Sequence, residues 1–425
     1  MRGWARRVLA AVVAAALLGP AGCSRKAGGP AQTASISLFT WVRPQEEAAN
    51  KGLIAEFEAA HPGIDVTLIN EPGQQAMQKL MGMIAAGNPP DVMSIHGAFY
   101  IPLAAKGALL DLDPLIEQDA AFDLDDFYPQ LVRLCRWEDA LYSLPRYASV
   151  YVLFYNKDMF DAAGVPHPSA SWTWDDFLQA AQRLTVRSDN PAERRWGCAI
   201  DFWGARVYPW IWQNGGEVLD DTRTRCVLNS PESVEALQFL VDLKRKHKVA
   251  RPTQPGESRE TREWFRDGRI AMLQSGAWDI QTFQESPALH WEVAPLPRRK
   301  RQATLMGMEN YSIAAATRHP EAAWELFKFL LGPHSQQTMA DELDKQPPRR
   351  SVADGAYLAA QVPYDRQVLV DALSYAREAP NIPDWDRVEH EIREQLDKMW
   401  MGEVSVRQGA DAAAAAVTEG LREPR

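Results

Sequence analysis

The run from Leu141 to Asp161, LYSLPRYASVYVLFYNKDMFD, constrains this chain more than any other. Pro145 stops one pattern, and from Val150 to Tyr155 every position is apolar, aromatic or β-branched. A strand exposed on one face alternates. A run without alternation suits a strand covered on both faces of a mixed or parallel sheet. Asn156, Lys157 and Asp158 then end it and open a short helix. The chain before this run reads as one α/β unit and the chain after it as another. The run is therefore expected to cross between two lobes, with a ligand cleft beside the crossing. At 425 residues the chain is too long for a single core, which agrees with two lobes.

Ahead of the crossing, strand patterns at 36–42, 64–69 and 91–95 alternate with helical spacing over 46–60 and 75–86. That order predicts a parallel, doubly wound sheet, whose ligand crevice lies beyond the carboxyl ends of the strands. The rule selects Trp41 to Arg43 and Ile95 to Phe99. Behind the crossing, Thr173 is placed to cap a helix whose first turn holds Asp175 and Asp176. Strands are expected at 196–200 and 269–273, the second leading into Gln274 to Trp278, and a helix at 230–247 with Pro231 at its first position. Trp291–Ala294 and Tyr311–Ala314 read as strands returning to the first lobe, and 319–330, 364–377 and 387–400 as helices.

The net charge of −10 argues against a nucleic-acid partner, because phosphate binding needs a basic face. Fifteen tryptophans fit a surface that stacks a flat, hydroxyl-rich ligand on indole, with hydrogen bonds supplying specificity. At the N-terminus, Arg2, Arg6 and Arg7 precede an apolar run from Val8 to Leu18 and small residues up to Cys23. This is an export signal, too short to span a bilayer comfortably. Cys23 after Ala21 and Gly22 resembles a bacterial lipobox, where the cysteine is lipidated, although Pro20 stands where leucine is usual. Residues 24–35 read as a flexible tether. Of the remaining cysteines, Cys135, Cys198 and Cys226, at most one pair can be bridged. Cys198 with Cys226 and three inert thiols are the two alternatives.

Taken in order, FTWV, AEFEAAHPGIDVTL, GNPPDV, LLDLDPLI, YSLPRYASVYVLFYNKDMF, SWTWDDFLQAAQRLT, WQNGGEVLDD, FRDGRIAMLQSGAW and PEAAWELFKFLL cover nearly the whole mature chain. In this order and spacing the sequence resembles the extracellular solute-binding proteins of bacterial ABC importers, in the sugar-binding, maltose-binding-protein-like group. The resemblance implies a two-lobed α/β fold of the periplasmic-binding-protein type, each lobe a mostly parallel sheet flanked by helices, joined by a hinge. Residues 36–146 with 288–331 would form the N-terminal lobe, and 147–287 with 332–425 the C-terminal lobe. It further implies a monomer that captures a mono- or oligosaccharide by lobe closure. The loaded protein would deliver the sugar to the transmembrane subunits of an ABC permease, from the periplasm or cell surface, on a lipid anchor at Cys23. No cofactor, metal or catalysis is implied.

For the site, Trp278 stands at the family's sugar-stacking tryptophan, and Trp203 where the family presents an aromatic residue on the second lobe. Tyr147 is expected to face the cleft beside the crossing, and Trp41, Arg43 and His96 to reach it from strand ends. Trp210 and Trp212 alternate around Ile211, so one is expected inward and one toward the cleft, with Trp210 carried as the candidate. Glu309 and Asn310 are expected in a loop before Tyr311, where the family often has two glycines, and Arg349 in a segment that closes the site.

Two other ligand and function classes remain. An arginine pair in the cleft, drawn from Arg146, Arg206 and Arg349, would suit a sugar phosphate or glycerol phosphate. A secreted carbohydrate-active enzyme would need two cleft carboxylates about 5–9 Å apart, and no pair stands out. Asp125–Asp126 and Asp175–Asp176 look like helix starts. There is no Gly-x-Ser-x-Gly elbow and no Walker A loop. His390 to Glu394 begins like a zinc-protease helix, but its second histidine is replaced by glutamate. Arg298 to Arg301 reads as a solvated turn, and His96 as a hydrogen-bonding group before a metal ligand.

Overall fold

The computed structural model describes residues 34–422 apart from 74, 201, 203, 255, 256 and 381. The expected export signal, tether and Cys23 therefore lie outside the described residues. Strands β1 (Ala34–Thr40), β2 (Ile64–Asn70) and β3 (Val92–His96) alternate with helices Pro44–Ala60 and Ala76–Ala85. β1 pairs in parallel with β2 and with β3, so Thr40 and His96 end at one edge of the sheet. Helix Gly97–Ala105 follows β3 directly.

A hairpin of β4 (Arg136–Trp137) and β5 (Ala140–Leu141) leads into β6 (Leu144–Asn156), whose residues are all buried, as a run without alternation requires. The strand is longer than its sequence suggests, because Pro145 lies inside it. Opposite it, Glu309 faces Tyr147 and Asn310 faces Pro145, which leaves Arg146 as the extra residue of a β-bulge. A bulge tolerates a proline because the ladder is already interrupted there. Asn156 ends the strand and caps helix Lys157–Ala163, its Oδ1 accepting the Met159 N–H at 3.0 Å. Thr173 caps helix Trp174–Leu184 reciprocally, its hydroxyl accepting from the Asp176 N–H while the Asp176 carboxylate accepts from the Thr173 N–H.

Strands β7 (Trp196–Ala199), β8 (Ile270–Gly276), β9 (Trp291–Ala294), β10 (Thr304–Ile313) and β11 (Ala376–Arg377) complete a mixed sheet. Its order is β2-β1-β3-β10-β6-β8-β7, with β9 on β6 and β11 on β10. β10 runs antiparallel to β3 through Glu309–Ile313 and to β6 through Met306–Tyr311. Beyond Val150, β6 pairs instead with β8 and β9. The two antiparallel strands β6 and β10 thus carry the chain between two α/β lobes, and this makes each lobe's sheet mixed.

Several expectations change. Trp291–Ala294 does not return to the first lobe: it pairs with Leu153–Asn156, on the β8 side of the crossing. Residues 333–352, expected in the C-terminal lobe, pack on the first lobe. There His334 Nε2 lies 2.7 Å from Glu56, and Arg349 Nη1 lies 3.1 Å from Asp126. The helix expected over 364–377 is confined to Gln367–Ala372, because Ala376–Arg377 is drawn into the sheet beside β10. Helices Trp385–Met401 and Val406–Arg422 pack on each other; the second packs on Pro231–Arg245, and the first meets it where Lys244 donates to the Trp400 carbonyl. Cys135, Cys198 and Cys226 are all free and buried, so the Cys198–Cys226 bridge is not formed. Cys198 is taken up in β7 opposite Met272, and Cys226 pairs with Leu219 at a separate turn.

Candidate functional site

The parallel strand ends, the β6–β10 ladder and the end of β8 enclose a cavity of about 460 Å³. Its floor follows from strand alternation. Tyr147, Ser149 and Tyr151 project from one face of β6, and Gly307 and Glu309 line it from β10, where Gly307 faces Ser149 and Glu309 faces Tyr147. Trp41 and Arg43 enter from the end of β1, and His96 from the end of β3. Trp278 enters just past β8, and Arg206, Gln281, Glu378, Trp385 and Glu389 also line the cavity.

Trp278 is held in place by what its neighbours lack. A Cβ on Gly276 would lie 2.1 Å from the indole, and one on Gly307 would lie 3.6 Å from it. Only a chain without a side chain at 276 leaves the ring this position. Tyr151 meets the same indole edge to face, with centroids 5.0 Å apart. Across the cavity Trp41 and His96 form another edge-to-face pair at 6.3 Å. The Trp41 Nε1–H and the Ser149 hydroxyl are buried without a hydrogen-bond partner among the described residues. Buried polar groups are ordinarily satisfied, so these two suit a ligand with hydrogen-bonding groups.

Glu46, Glu309 and Lys345 of the cavity wall join the buried Arg146 behind it in a charge cluster. Glu46, in the first turn of helix Pro44–Ala60, is 2.5 Å from Arg146 and 3.2 Å from Lys345, and Arg146 also reaches Glu309 at 3.5 Å. Burial alone would raise the Glu46 pKa, but Arg146 and Lys345 outweigh it and hold the carboxyl below its ordinary range. At Glu309 burial dominates and pushes the carboxyl up, against Arg146. Burial pushes Glu378 up to about 8, opposed by Arg223, and keeps His96 below its ordinary value.

Of the residues expected from the sequence, Trp41, Arg43, His96, Tyr147, Trp278 and Glu309 come together around this cavity. Trp203 lies outside the described residues. Trp210 does not reach the cavity. Residues 208–213 form a helix in place of an alternating strand, so Trp210 and Trp212 both turn into the core. There Trp210 donates to Gln274 Oε1 at 2.7 Å. Glu309 and Asn310 lie in β10, not in a loop, and on a strand neighbouring side chains point to opposite faces. Asn310 is accordingly buried away from the cavity and donates to the Ser143 hydroxyl. Arg349 is buried against Asp126 and the Leu331 carbonyl, where its segment packs on the first lobe. Sequence reasoning missed Ser149 and Tyr151, which the two-residue period starting at Tyr147 would have found. It also missed Glu46, Lys345 and Trp385, for which no local signal exists. Among the described residues no group of three or more His, Cys, Asp or Glu is arranged to hold a metal ion.

Two α/β lobes on a pair of crossing strands, with a deep aromatic and polar cavity at the crossing, define a two-lobed ligand-binding protein. Comparison with known families narrows the class. Residues 43–337 match the family model for bacterial extracellular solute-binding proteins, and the chain belongs to that family. It is 25% identical to a putative binding protein of Brucella abortus (strain 2308) over 81% of this chain and 83% of the relative. It is 22% identical to the galactooligosaccharide-binding protein of Bacillus subtilis (strain 168) over 94% of both. Among solved structures, it resembles an ABC substrate-binding protein from Listeria monocytogenes in complex with cycloalternan. That similarity has a TM-score of 0.83 and 27% identity, covering 92% of this chain and 99% of the other.

Proposed function

We propose that this chain captures a carbohydrate by lobe closure and delivers it to the transmembrane subunits of an ABC importer, without catalysing a reaction. The observation that carries this reading is the composition of the cavity. Indole and phenol faces from Trp41, Tyr147 and Trp278 stand beside the unpartnered Trp41 N–H, the Ser149 hydroxyl and the Glu309 carboxylate. Aromatic faces suit the C–H side of a sugar ring, and the polar atoms suit its hydroxyls. Trp41, Arg43, His96, Tyr147, Trp278 and Glu309 are the proposed ligand contacts. The relatives that bind a galactooligosaccharide and cycloalternan support a carbohydrate of more than one ring. The protein is proposed to act as a monomer, exported and held to the membrane by lipid on Cys23.

A phosphate-bearing ligand is the second reading, because Arg43 and Arg206 line the cavity. Two of the three arginines that favoured it are committed elsewhere, Arg146 to Glu46 and Arg349 to Asp126. Titration of intrinsic tryptophan fluorescence with mono- and oligosaccharides, glucose 6-phosphate and glycerol 3-phosphate tests both readings. Saturable responses to sugars alone support the first. Response only to the phosphates replaces it with the second, and silence toward every compound sinks both.

A further inference from the structure

Arg146 does not line the cavity, yet Glu46, Glu309 and Tyr147, which do, all lie against it. As the extra residue of the β6 bulge, it stands opposite the step from Glu309 to Asn310. A bulge re-aims a side chain that regular alternation would send to the other face. The guanidinium is 2% exposed. It reaches Glu46 at 2.5 Å, Ser94 Oγ at 3.3 Å and Glu309 at 3.5 Å, and lies 5.0 Å from the ring centres of Tyr147 and Tyr311.

The two carboxylates depend on it unequally. Glu46 also pairs directly with Lys345, at 3.2 Å, whereas the direct ion pair of Glu309 is with Arg146, with Lys345 acting on it from farther off and the Tyr147 hydroxyl as a hydrogen-bond donor. A buried carboxylate that loses its cation takes up a proton in preference to remaining charged. A carboxylate only accepts hydrogen bonds, while a protonated acid also donates. The residue that fixes the charge of Glu309 therefore fixes which ligand groups it takes.

We propose that Arg146 is a positioning residue that keeps Glu309 ionised and turned into the cavity, so that the site selects a ligand donating hydroxyls to that carboxylate. The inference rests on the carbohydrate reading above. The groups facing Glu309 are Glu46 from helix Pro44–Ala60, Arg146 and Tyr147 from β6, His96 opposite it on β3, Tyr311 on its own strand, and Lys345. Burial pushes the Tyr147 and Tyr311 hydroxyls up and His96 down, so none of the three gains charge between neutral and mildly alkaline pH. Glu309, pushed up by burial against Arg146, is the carboxyl that acidification neutralises first in this group, since Glu46 is held low.

The test is affinity against pH for the wild type, Glu309→Gln, Arg146→Met and Arg146→Lys. D-glucose, maltose, maltotriose and galactobiose are the probes, and circular dichroism checks the fold. Wild-type affinity is expected to fall about 10- to 100-fold on acidification, the worth of a hydrogen bond to a charged group. Glu309→Gln is expected to be weak and flat with pH. Arg146→Met is expected to move the midpoint upward, so that binding is already weak at neutral pH. Arg146→Lys keeps the cation but loses the fork. Its midpoint falls between the two, which decides the matter if the methionine variant does not fold. A Glu309→Gln profile that still follows the wild type overturns the inference. So does a loss in the Arg146 variants that is equal at every pH. If no sugar binds the wild type, the functional reading fails first and this one with it.

Discussion

Gly276→Ala is expected to weaken ligand binding through Trp278 alone. The backbone of Gly276 is extended, with φ −85° and ψ 158°, so alanine fits it without strain. The added methyl, however, would lie 2.1 Å from Cζ3 and 2.3 Å from Cε3 and Cη2 of the indole. Carbon contacts settle at roughly 3.5–4.0 Å, so the ring would have to retreat by roughly 1.5 Å. Its open side is the cavity, and the cost falls on the position of the ring more than on the fold. If the ring stacks on a sugar, losing that geometry costs on the order of 1–3 kcal/mol. This corresponds to about 5- to 150-fold in affinity. Calorimetric titration of the best-binding oligosaccharide would be run on Gly276→Ala, Trp278→Ala and the double variant. The single variants should weaken binding to similar extents, and the double variant should be no weaker than Trp278→Ala, because the ring the methyl strikes is gone. Wild-type affinity in Gly276→Ala refutes the reasoning. Additive losses in the double variant refute it too, since the methyl would then act on something other than the indole.

Glu378 makes stability depend on pH. Burial lifts its carboxyl to about 8, so the folded chain holds a proton there that the unfolded chain, with an ordinary carboxyl near about 4.3, releases. Stability should fall as pH rises through that window, and Glu378→Gln should gain on the wild type in Tm between about pH 5 and about pH 9. A Tm difference that does not change with pH counts against this. The three described thiols are buried, and burial pushes each of them up, Cys226 to about 11. In a chain starting after Cys23, thiol reagent should label them only on unfolding, and reductant should leave Tm unchanged. Rapid labelling of the folded protein, or a reductant-sensitive Tm, contradicts both expectations.

Much of the fold was legible because local chemistry and tertiary structure agree. Gly87 to Pro90 separates helix Ala76–Ala85 from β3, Asn156 ends β6 and caps the next helix, and Thr173 forms the box its sequence promises. Pro145 was misread because a proline looks like a stop until the partner strand reveals a bulge. The aromatic run at 208–213 was misread because two-residue alternation and one short, wholly buried helix place apolar residues alike. Chain order does not say which lobe helix Pro333–Leu343 and the residues after it cover, so their place on the first lobe is not legible in the sequence. The contacts that place them, His334 with Glu56 and Arg349 with Asp126, join residues more than two hundred positions apart.

The site was legible where it depends on strand ends and illegible where it depends on register. Glu309 and Asn310 are neighbours with equally polar side chains, yet one lines the cavity and the other meets Ser143 in the core. A single step of register separates the two outcomes. The β6–β10 ladder that sets this register is also the crossing between the lobes. Trp41 stands on the β1 side of that ladder and Trp278 on the β8 side, with Tyr147, Ser149, Gly307 and Glu309 between them. A ligand resting on the ladder can touch both indoles together, and contacts of that kind favour closure to the extent that they are stronger in the closed state than in an open one. Recognition and closure would then depend on the same residues, and the bulge at Arg146, which lies in this ladder, would bear on both.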